Sequence, residues 1–225
     1  MHRILITNDD GIESPALKVL ETSLSRIGVV TVVAPDRERS ATSHGITIGQ
    51  PVLYQQLSPN RFAVEGTPAD CIIAALLRIF REPPSLVISG VNCGSNLGSD
   101  ILYSGTVAAA FEATLQGIPS IAVSAHPQAD YASAAAVAAR IAMQVLEYGL
   151  PPDVILNVNY PLTWNGEFRL TRQGRRAGEP LTDYEALALG YVSISPLQIN
   201  RTAHTHFEHF SGWTDRLGVR VRDDV

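Results

Sequence analysis

Short runs of β-branched and aliphatic residues alternate with segments of helical periodicity, and this alternation limits the possible folds more than any other feature. The first run, residues 4–6, is followed after a polar loop by Leu17, Leu20 and Leu24 at helical spacing, and then by a second run at residues 29–34. Uninterrupted apolar strands that are connected by helices are typical of parallel sheets with both faces covered. The pattern therefore predicts a βαβ unit at the start of the chain.

The residues around the first helical segment predict where that helix begins and ends. Ser14 is a suitable N-cap, and Pro15 suits the first helical position because its missing N–H would be unpaired there in any case. The helical spacing continues to Ile27, and Gly28 is a residue that commonly follows a helix end. We therefore expect a helix from Pro15 to Gly28.

The alternation continues to about residue 160, with less regular stretches in between. Residues 46–57 alternate weakly and predict a strand pair or hairpin, and Thr67 and Asp70 mark the start of the next helix. The apolar face expected for that helix consists of Ile72, Ile73, Leu76, Leu77 and Phe80. Later segments predict a strand at 86–89, a loop at 90–100, a helix at 104–116, a strand at 121–123, a helix at about 131–148 and a strand at 154–158. This order favours an α/β fold with a doubly wound, mainly parallel sheet.

A single domain is expected. The 225 residues suit one α/β domain, with about residues 1–160 as the core and about 161–225 as a C-terminal extension. In the extension, residues 190–199 predict a strand, residues 172–183 have no clear type, and the end of the chain is either a short helix or a tail.

Charge and composition disfavour several classes of partner. The formal net charge of −5 gives no positive field for nucleic acid or an anionic membrane. No apolar stretch approaches the roughly 18 residues of a membrane span, and the sequence enters its first strand without a signal-peptide pattern. Cys71 and Cys93 show no paired spacing for zinc or a disulfide framework. We therefore expect a soluble, cytoplasmic protein that binds neither nucleic acid nor membranes.

Three polar loops follow predicted strands, where open parallel sheets bind their ligands. These loops are residues 8–11, 36–40 and 89–92. Asp9 and Asp10 are adjacent, so their charges repel each other and favour a cation between them. Ser40 and Asn92 would add a hydroxyl and an amide oxygen, and such an all-oxygen shell suits Mg²⁺ or Mn²⁺. The alternative is a capped turn in which an aspartate bonds the backbone of its own loop.

A phosphate site is predicted at the start of the helix at 104–116. The chain has a single lysine, Lys18, and it lacks both the P-loop and the dinucleotide-binding glycine pattern. Ser104, Gly105 and Thr106 offer hydroxyls and free N–H groups at a position where the helix dipole favours an anion. The alternative is that Ser104 is an ordinary N-cap.

Other polar residues have two interpretations each. Asn96 lies in the glycine-rich loop at 90–100, where glycines allow either close approach of a ligand or sharp turns. His44 is close enough to Ser40 to act at the same site as a general acid or phosphate donor, and a structural histidine is the alternative. Two clusters are expected to be solvated surface, although the first could also contact a phosphate: Arg172, Arg175 and Arg176, and His204, His206 and His209.

Five motifs, in this order along the chain, resemble those of the SurE family. They are residues 6–12 (ITNDDGI), 34–41 (APDRERSA), 66–71 (GTPADC), 89–92 (SGVN) and 103–106 (YSGT). Residues 190–196 (GYVSISP) also resemble the late strand motif of that family, so the likeness covers nearly the whole chain.

The resemblance implies a Rossmann-like core and a metal-dependent phosphomonoesterase that acts on nucleoside 5′-monophosphates, often on 3′-monophosphates and in some members on polyphosphate. By motif, Asp9, Asp10, Ser40 and Asn92 would hold one divalent cation per subunit. The resemblance also implies a homodimer or homotetramer in which a long hairpin and the C-terminal element exchange between subunits. The family carries a longer excursion where this chain has only residues 177–183, so the hairpin is expected to be short or missing.

The sequence is compatible with three functional interpretations, two catalytic and one without catalysis. In the first, a cation binds a phosphate oxygen and a water, and either Asp9 or Asp10 orients that water. In the second, Asp9 is a nucleophile that forms a phosphoaspartate, which the adjacent acids and the position of Lys18 disfavour. In the third, the protein is a nucleotide-binding regulatory module without catalysis.

Overall fold

The computed structural model describes residues 1–174 and 182–216. Within these residues the strands are β1 Arg3–Thr7, β2 Val29–Pro35, β3 Tyr54–Ser58, β4 Arg61–Val64, β5 Leu86–Cys93, β6 Ser120–Ala125, β7 Val154–Tyr160, β8 Phe168–Leu170 and β9 Val192–Gln198. The α-helices are α1 Pro15–Leu24, α2 Pro68–Ala74, α3 Gly105–Leu115, α4 Tyr131–Tyr148, α5 Asp183–Ala188 and α6 Phe207–Arg216. A π-helical turn, Ala75–Ile79, continues α2, and short 3₁₀ turns lie at Gly98–Leu102 and His204–His206.

One sheet contains all nine of these strands, in the order β3-β4-β2-β1-β5-β6-β7-β9-β8. The strands from β4 to β7 pair in parallel, whereas β3 runs antiparallel to β4, and β9 runs antiparallel to β7. The predicted α/β class with a mainly parallel, doubly wound sheet is confirmed. Strands β8 and β9, which fall within the expected C-terminal extension, continue this sheet.

Helices cover both faces of the sheet because alternate strand residues point to opposite sides. Ile4 and Ile6 of β1 pack in the core beneath α1 and α4, whereas Leu5 packs in the core beneath α2 and α3. Both cores consist mainly of buried aliphatic side chains. In the part of the chain that the structure describes, no helix is both long and apolar enough to cross a membrane.

The strand order places a topological switch next to β1. From β1 the chain moves to β2 on one side, and it later returns to β5 on the other side. Because β2, β1 and β5 are parallel neighbours, the loops at their carboxyl ends emerge side by side. The loops after β1 and β2 carry three of the predicted cation ligands. The loop predicted at 90–100 begins later than expected, because β5 runs to Cys93 and includes Asn92 as its last residue but one.

Several predicted boundaries are wrong. Helix α1 ends at Leu24, four residues before Gly28, and a Cβ on Gly28 would lie 2.7 Å from the His2 carbonyl oxygen. That glycine therefore allows a close backbone approach and does not end the helix. Leu77 is 71% exposed because the wider π-helical turn changes the angular spacing after Ala74.

The hairpin and the region before α5 also differ from expectation. The hairpin pairs β3 with β4, so it overlaps the predicted segment 46–57 only at residues 54–57 and ends later, at Val64. Thr47 within that segment bonds Asp70 through both its backbone N–H and its hydroxyl. Strand β8 and helix α5 were not predicted, although Thr182 caps α5 by accepting from the N–H of Glu185 at 3.3 Å. The helix predicted at about 131–148 and the strand predicted within 190–199 are confirmed as α4 and β9.

Candidate metal and phosphate site

Asp9 lies at the end of β1 and is held by the start of α3. Its Oδ1 accepts from the Thr106 hydroxyl at 2.6 Å, and its Oδ2 accepts from the Thr106 backbone N–H at 3.2 Å. Gly105 permits this approach, because a Cβ there would lie 3.1 Å from the Asp9 Cβ and 3.0 Å from the Pro68 ring. The positive end of α3 therefore faces the Asp9 carboxylate.

Asp10, unlike Asp9, has a carboxylate oxygen without a hydrogen-bond partner in the part of the chain that the structure describes. Its Oδ2 is buried and has no hydrogen-bond partner among the described residues. Burial raises the pKa of Asp9, and burial followed by the charge of Asp9 raises the pKa of Asp10 to about 6. The two ionised carboxylates are thus destabilised by low solvation and mutual repulsion, which a cation would relieve.

The loop after β2 is tied to the loop after β1 by backbone bonds. The Arg39 N–H donates to the Asp9 carbonyl oxygen at 2.7 Å, and the Ile12 N–H donates to the Pro35 carbonyl at 2.8 Å. Ser40 lies in this loop, is exposed, and donates its hydroxyl to Glu38 Oε1 at 2.8 Å. Its oxygen lone pairs therefore stay available to a ligand.

Asn92 lies near the end of β5, where the register with β6 shifts between residues 89 and 92. Gly90 has a φ of +136°, and a Cβ there would lie 2.1 Å from the Val123 carbonyl oxygen, so only glycine fits. The Asn92 amide nitrogen donates to the Gly94 carbonyl at 2.8 Å. The amide oxygen of Asn92 is then the atom left to bind a ligand.

These loops enclose a cavity of about 620 Å³ at the carboxyl edge of the sheet. Its walls are formed by Asp9, Asp10, Glu38, Ser40, Ala41, Asn92, Cys93, Asn96, Asp100, Tyr103 and Ser104. All four predicted cation ligands therefore lie around one cavity. The donor set is entirely oxygen and includes the buried, unpartnered Oδ2 of Asp10, which fits a hard divalent cation.

The predicted phosphate and substrate residues divide into two groups. Ser104 and Asn96 line the cavity, whereas Gly105 and Thr106 lie behind Asp9 and support it. Ser104 caps α3 by accepting from the Val107 N–H at 3.1 Å.

Two of the predicted residues are held by neighbours. Asn96 donates its amide nitrogen to the Ser124 hydroxyl at 2.7 Å. His44 does not line the cavity, and its Nε2 lies 3.0 Å from Glu112 Oε2 on α3. Its hydrogen bond lowers the pKa of Glu112. The geometry favours the structural interpretation of His44.

Five residues at the cavity were not singled out from the sequence. They are Glu38, Ala41, Cys93, Asp100 and Tyr103. All lie within the motifs at 34–41, 89–92 and 103–106 or within three residues of one, so proximity to a motif was the available signal. Arg172 lines a different cavity, near β8 and β9, and Arg175 and Arg176 lie outside the described residues.

The C-terminal histidines are exposed. His204, His206 and His209 lie on the surface around the last 3₁₀ turn and α6. Among the described residues there is no group of three or more histidine, cysteine or acidic side chains placed to hold a metal ion. The candidate cation site relies instead on two carboxylates with a hydroxyl and an amide.

Known proteins resemble this chain over most of its length. The family model described as Survival protein SurE matches residues 4–180. Proteins named 5′-nucleotidase SurE from Syntrophotalea carbinolica and Citrifermentans bemidjiense are 42% and 43% identical, cover 94% of this chain each, and are themselves covered to 97% and 98%.

A solved structure also matches. The crystal structure of SurE protein from Aquifex aeolicus has a TM-score of 0.90 at 35% identity and covers 95% of this chain and 100% of that chain. The alignment with the Syntrophotalea protein spans 242 positions, more than the 225 residues of this chain, so the relative has residues that this chain lacks.

Proposed function

The chain belongs to the SurE family, and on this premise we propose that it is a 5′-nucleotidase that releases phosphate from nucleoside 5′-monophosphates. Relatives with that name match more than nine-tenths of the chain. The observation that carries the proposal is the cavity at the switch point, where Asp9, Asp10, Ser40 and Asn92 present their oxygens together. Its volume of about 620 Å³ lies in the range of small-molecule sites.

The same four residues would hold one divalent cation, with Mg²⁺ or Mn²⁺ preferred by the all-oxygen donor set. When bound, such a cation neutralises phosphate charge and acidifies a coordinated water. The proposal is supported by the four carboxylates around the cavity, which belong to Asp9, Asp10, Glu38 and Asp100. A phosphate dianion would be repelled by them unless positive charge were added.

The two aspartates have different tasks in this proposal. Both oxygens of Asp9 accept bonds from Thr106, so its orientation is fixed. Asp10 keeps an oxygen without a partner in the described chain, and we assign it the bond that orients the attacking water. The two hydrogen bonds from Thr106 to Asp9 also weigh against a phosphoaspartate, because they draw charge from the oxygens that would have to attack the phosphorus.

Ser104 is the residue that we assign to the phosphate group. Its oxygen accepts from the Val107 N–H, so its proton is free to be donated into the cavity. Asn96 uses one N–H of its amide on Ser124 and keeps its amide oxygen, an acceptor that suits a ribose hydroxyl better than a phosphate oxygen. This division places the phosphate near α3 and the sugar toward the loop after β5.

The test is phosphate release from a panel of nucleoside 5′- and 3′-monophosphates, with EDTA or with added Mg²⁺ or Mn²⁺. Wild type and Asp9→Asn are compared side by side, with polyphosphate as a further substrate. Release that needs metal and is lost in the variant supports the proposal. Tight nucleotide binding without release under either metal would instead favour the regulatory module, and a trapped acyl phosphate would favour the phosphoaspartate.

We also propose a homodimer or homotetramer, as the family resemblance implies. Helix α6 supports this proposal because Phe210 and Trp213 are 48% and 54% exposed and their ring centroids lie 5.2 Å apart. Such an exposed aromatic pair is suited to packing on a second subunit. Sedimentation would give the assembly size. The cytoplasmic location stays a prediction, which fractionation of cells would test.

A further inference from the structure

Asp183 is a fully buried carboxylate that joins the C-terminal part of the chain to the loop after β5. Its Oδ2 accepts from the Gly98 N–H at 2.8 Å. Its Oδ1 accepts from the N–H groups of Gly174 and Tyr184 at 2.9 Å and 3.0 Å. All three donors are backbone groups, so the carboxylate fixes the path of the main chain in two separate segments.

Two further bonds and a tight steric fit hold the loop at the same point. The Gln173 amide donates to the Gly98 carbonyl at 2.8 Å, and the Tyr184 hydroxyl donates to the Leu97 carbonyl at 3.2 Å. Gly98 has a φ of +49°, and a Cβ there would lie 2.5 Å from the Tyr184 ring and 2.6 Å from the Gly174 carbonyl. The loop is therefore fitted closely against residues that come about 75 positions later in the chain.

The loop held in this way forms one wall of the cavity. Asn96, Asp100 and Tyr103 line that wall, on either side of Gly98. The aspartates of the cation site lie on the loop after β1, which Asp183 does not contact. The cavity residues thus have separate supports. Thr106 supports Asp9, and Ser124, Asn157 and Asn159 bond Asn96 at the start of the wall. Asp183 holds the same wall at Gly98, just before Asp100 and Tyr103.

We propose that Asp183 is a positioning residue that sets substrate affinity by holding the Asn96–Tyr103 wall of the cavity. The inference rests on the proposed nucleotidase function for its kinetic readout. It predicts that loss of the Gly98 bond raises KM for a nucleoside monophosphate while kcat and the metal requirement stay nearly unchanged. A general loss of stability would not raise KM while leaving kcat and the metal requirement nearly unchanged.

The variant Asp183→Asn tests whether KM rises while kcat stays nearly unchanged. An amide has one acceptor oxygen, which can keep the two bonds to Gly174 and Tyr184, and its NH₂ group then faces the Gly98 N–H. We expect KM for adenosine 5′-monophosphate to rise about tenfold, the effect of one lost hydrogen bond to a charged group. Gln173→Ala removes only the bond to the Gly98 carbonyl and should raise KM in the same direction by less.

The matched control is Thr171→Val. Thr171 is buried, and its hydroxyl bonds the hydroxyls of Ser193 and Ser195 on β9. This variant should lose stability without a change in KM. If Asp183→Asn and Thr171→Val had the same KM, or if kcat fell while KM was constant, the proposal would be overturned.

Hydrogen exchange separates failure of this inference from failure of the proposed function. Exchange at residues 94–103 should be faster in Asp183→Asn than in wild type, and unchanged in Thr171→Val. This readout needs no catalysis, so it holds even if wild type released no phosphate. Unchanged exchange in Asp183→Asn would refute the positioning role. If Asp183→Asn did not fold, Gln173→Ala would decide by the same two measurements.

Discussion

The Thr106 hydroxyl lies 2.6 Å from Asp9 Oδ1, and this bond joins the start of α3 to the end of β1. The same threonine donates its backbone N–H to the other carboxylate oxygen. Within the helix start that the sequence marks as a phosphate site, Thr106 therefore bonds Asp9, whereas Ser104 lines the cavity. The role of Thr106 in the proposed enzyme is to orient a cation ligand from behind.

Removing that hydroxyl should weaken metal binding. Thr106→Val keeps the side-chain shape and the backbone bond but deletes the donor to Asp9 Oδ1. We expect about a 10- to 100-fold loss of metal affinity, as is typical when a residue that supports a ligand is lost. A metal titration of phosphate release measures the effect. Thr114→Val, whose hydroxyl bonds Ser120 at the far end of α3, should titrate like wild type.

Asp10→Asn should separate activity from stability. Burial and the charge of Asp9 destabilise the ionised Asp10 in the metal-free fold, so removal of its charge should raise the free energy of unfolding by roughly 1 kcal/mol at neutral pH in EDTA. The same change should abolish most phosphate release at saturating metal. Chemical denaturation and a phosphate assay on one preparation check both. A variant that is less stable than wild type in EDTA would contradict this account.

The pair of His44 and Glu112 should give acid-sensitive stability. The hydrogen bond from His44 lowers the pKa of Glu112 below its ordinary 4.5, so the ionised form is favoured in the folded state. The stabilisation is therefore present above about pH 4.5 and is lost as the pH falls through the lower, folded-state pKa.

Glu112→Gln provides the comparison for that pair. Wild type should be more stable than this variant by about 1 kcal/mol at neutral pH, and the difference should disappear on acidification. Denaturation midpoints across a pH series measure it. Phosphate release at neutral pH should change little in Glu112→Gln, because neither residue lines the cavity. A constant stability difference down to low pH would show that the pair does not act through this charge.

Gly90→Ala should disrupt the fold around Asn92. A Cβ at this position would lie 2.1 Å from the Val123 carbonyl oxygen, and the φ of +136° excludes other residues. We expect a loss of more than about 3 kcal/mol of stability, or insoluble protein. Gly49→Ala is the control, because Gly49 also has a positive φ of +77° but has open space around it. The loss of stability in Gly49→Ala should be limited to the backbone strain of about 1 kcal/mol.

The sheet was predictable from the sequence because its signals are local. The runs that became β1 and β2 are apolar along their whole length, and α4 has a clear aspartate cap and helical spacing. Helix α1 was misjudged at Gly28, where the need for glycine comes from His2 on a different segment. Strand β8 has only three residues and gave no pattern that could be detected.

Four residues that line the cavity were predictable from the sequence, but the residues that support them were not. Asp9, Asp10, Ser40 and Asn92 were expected to lie together because adjacent carboxylates and the segments at strand ends can be recognised locally in the sequence. Thr106 and Asp183 were not recognised as supports, because the partner of each lies more than 80 positions away in the chain. Such bonds depend on strand order, which residue spacing does not encode.

The bond between Asp9 and Thr106 spans 97 positions, so Asp9 is oriented only after α3 has docked on β1. A chain that is still being synthesised, with β1 and β2 already paired, would hold the aspartates but lack the residue that orients Asp9. Metal uptake in this protein would therefore follow the docking of α3 and would not nucleate the pairing of β1 with β2. Incomplete chains would not act on the nucleotides of the cell until Thr106 is in place to orient Asp9.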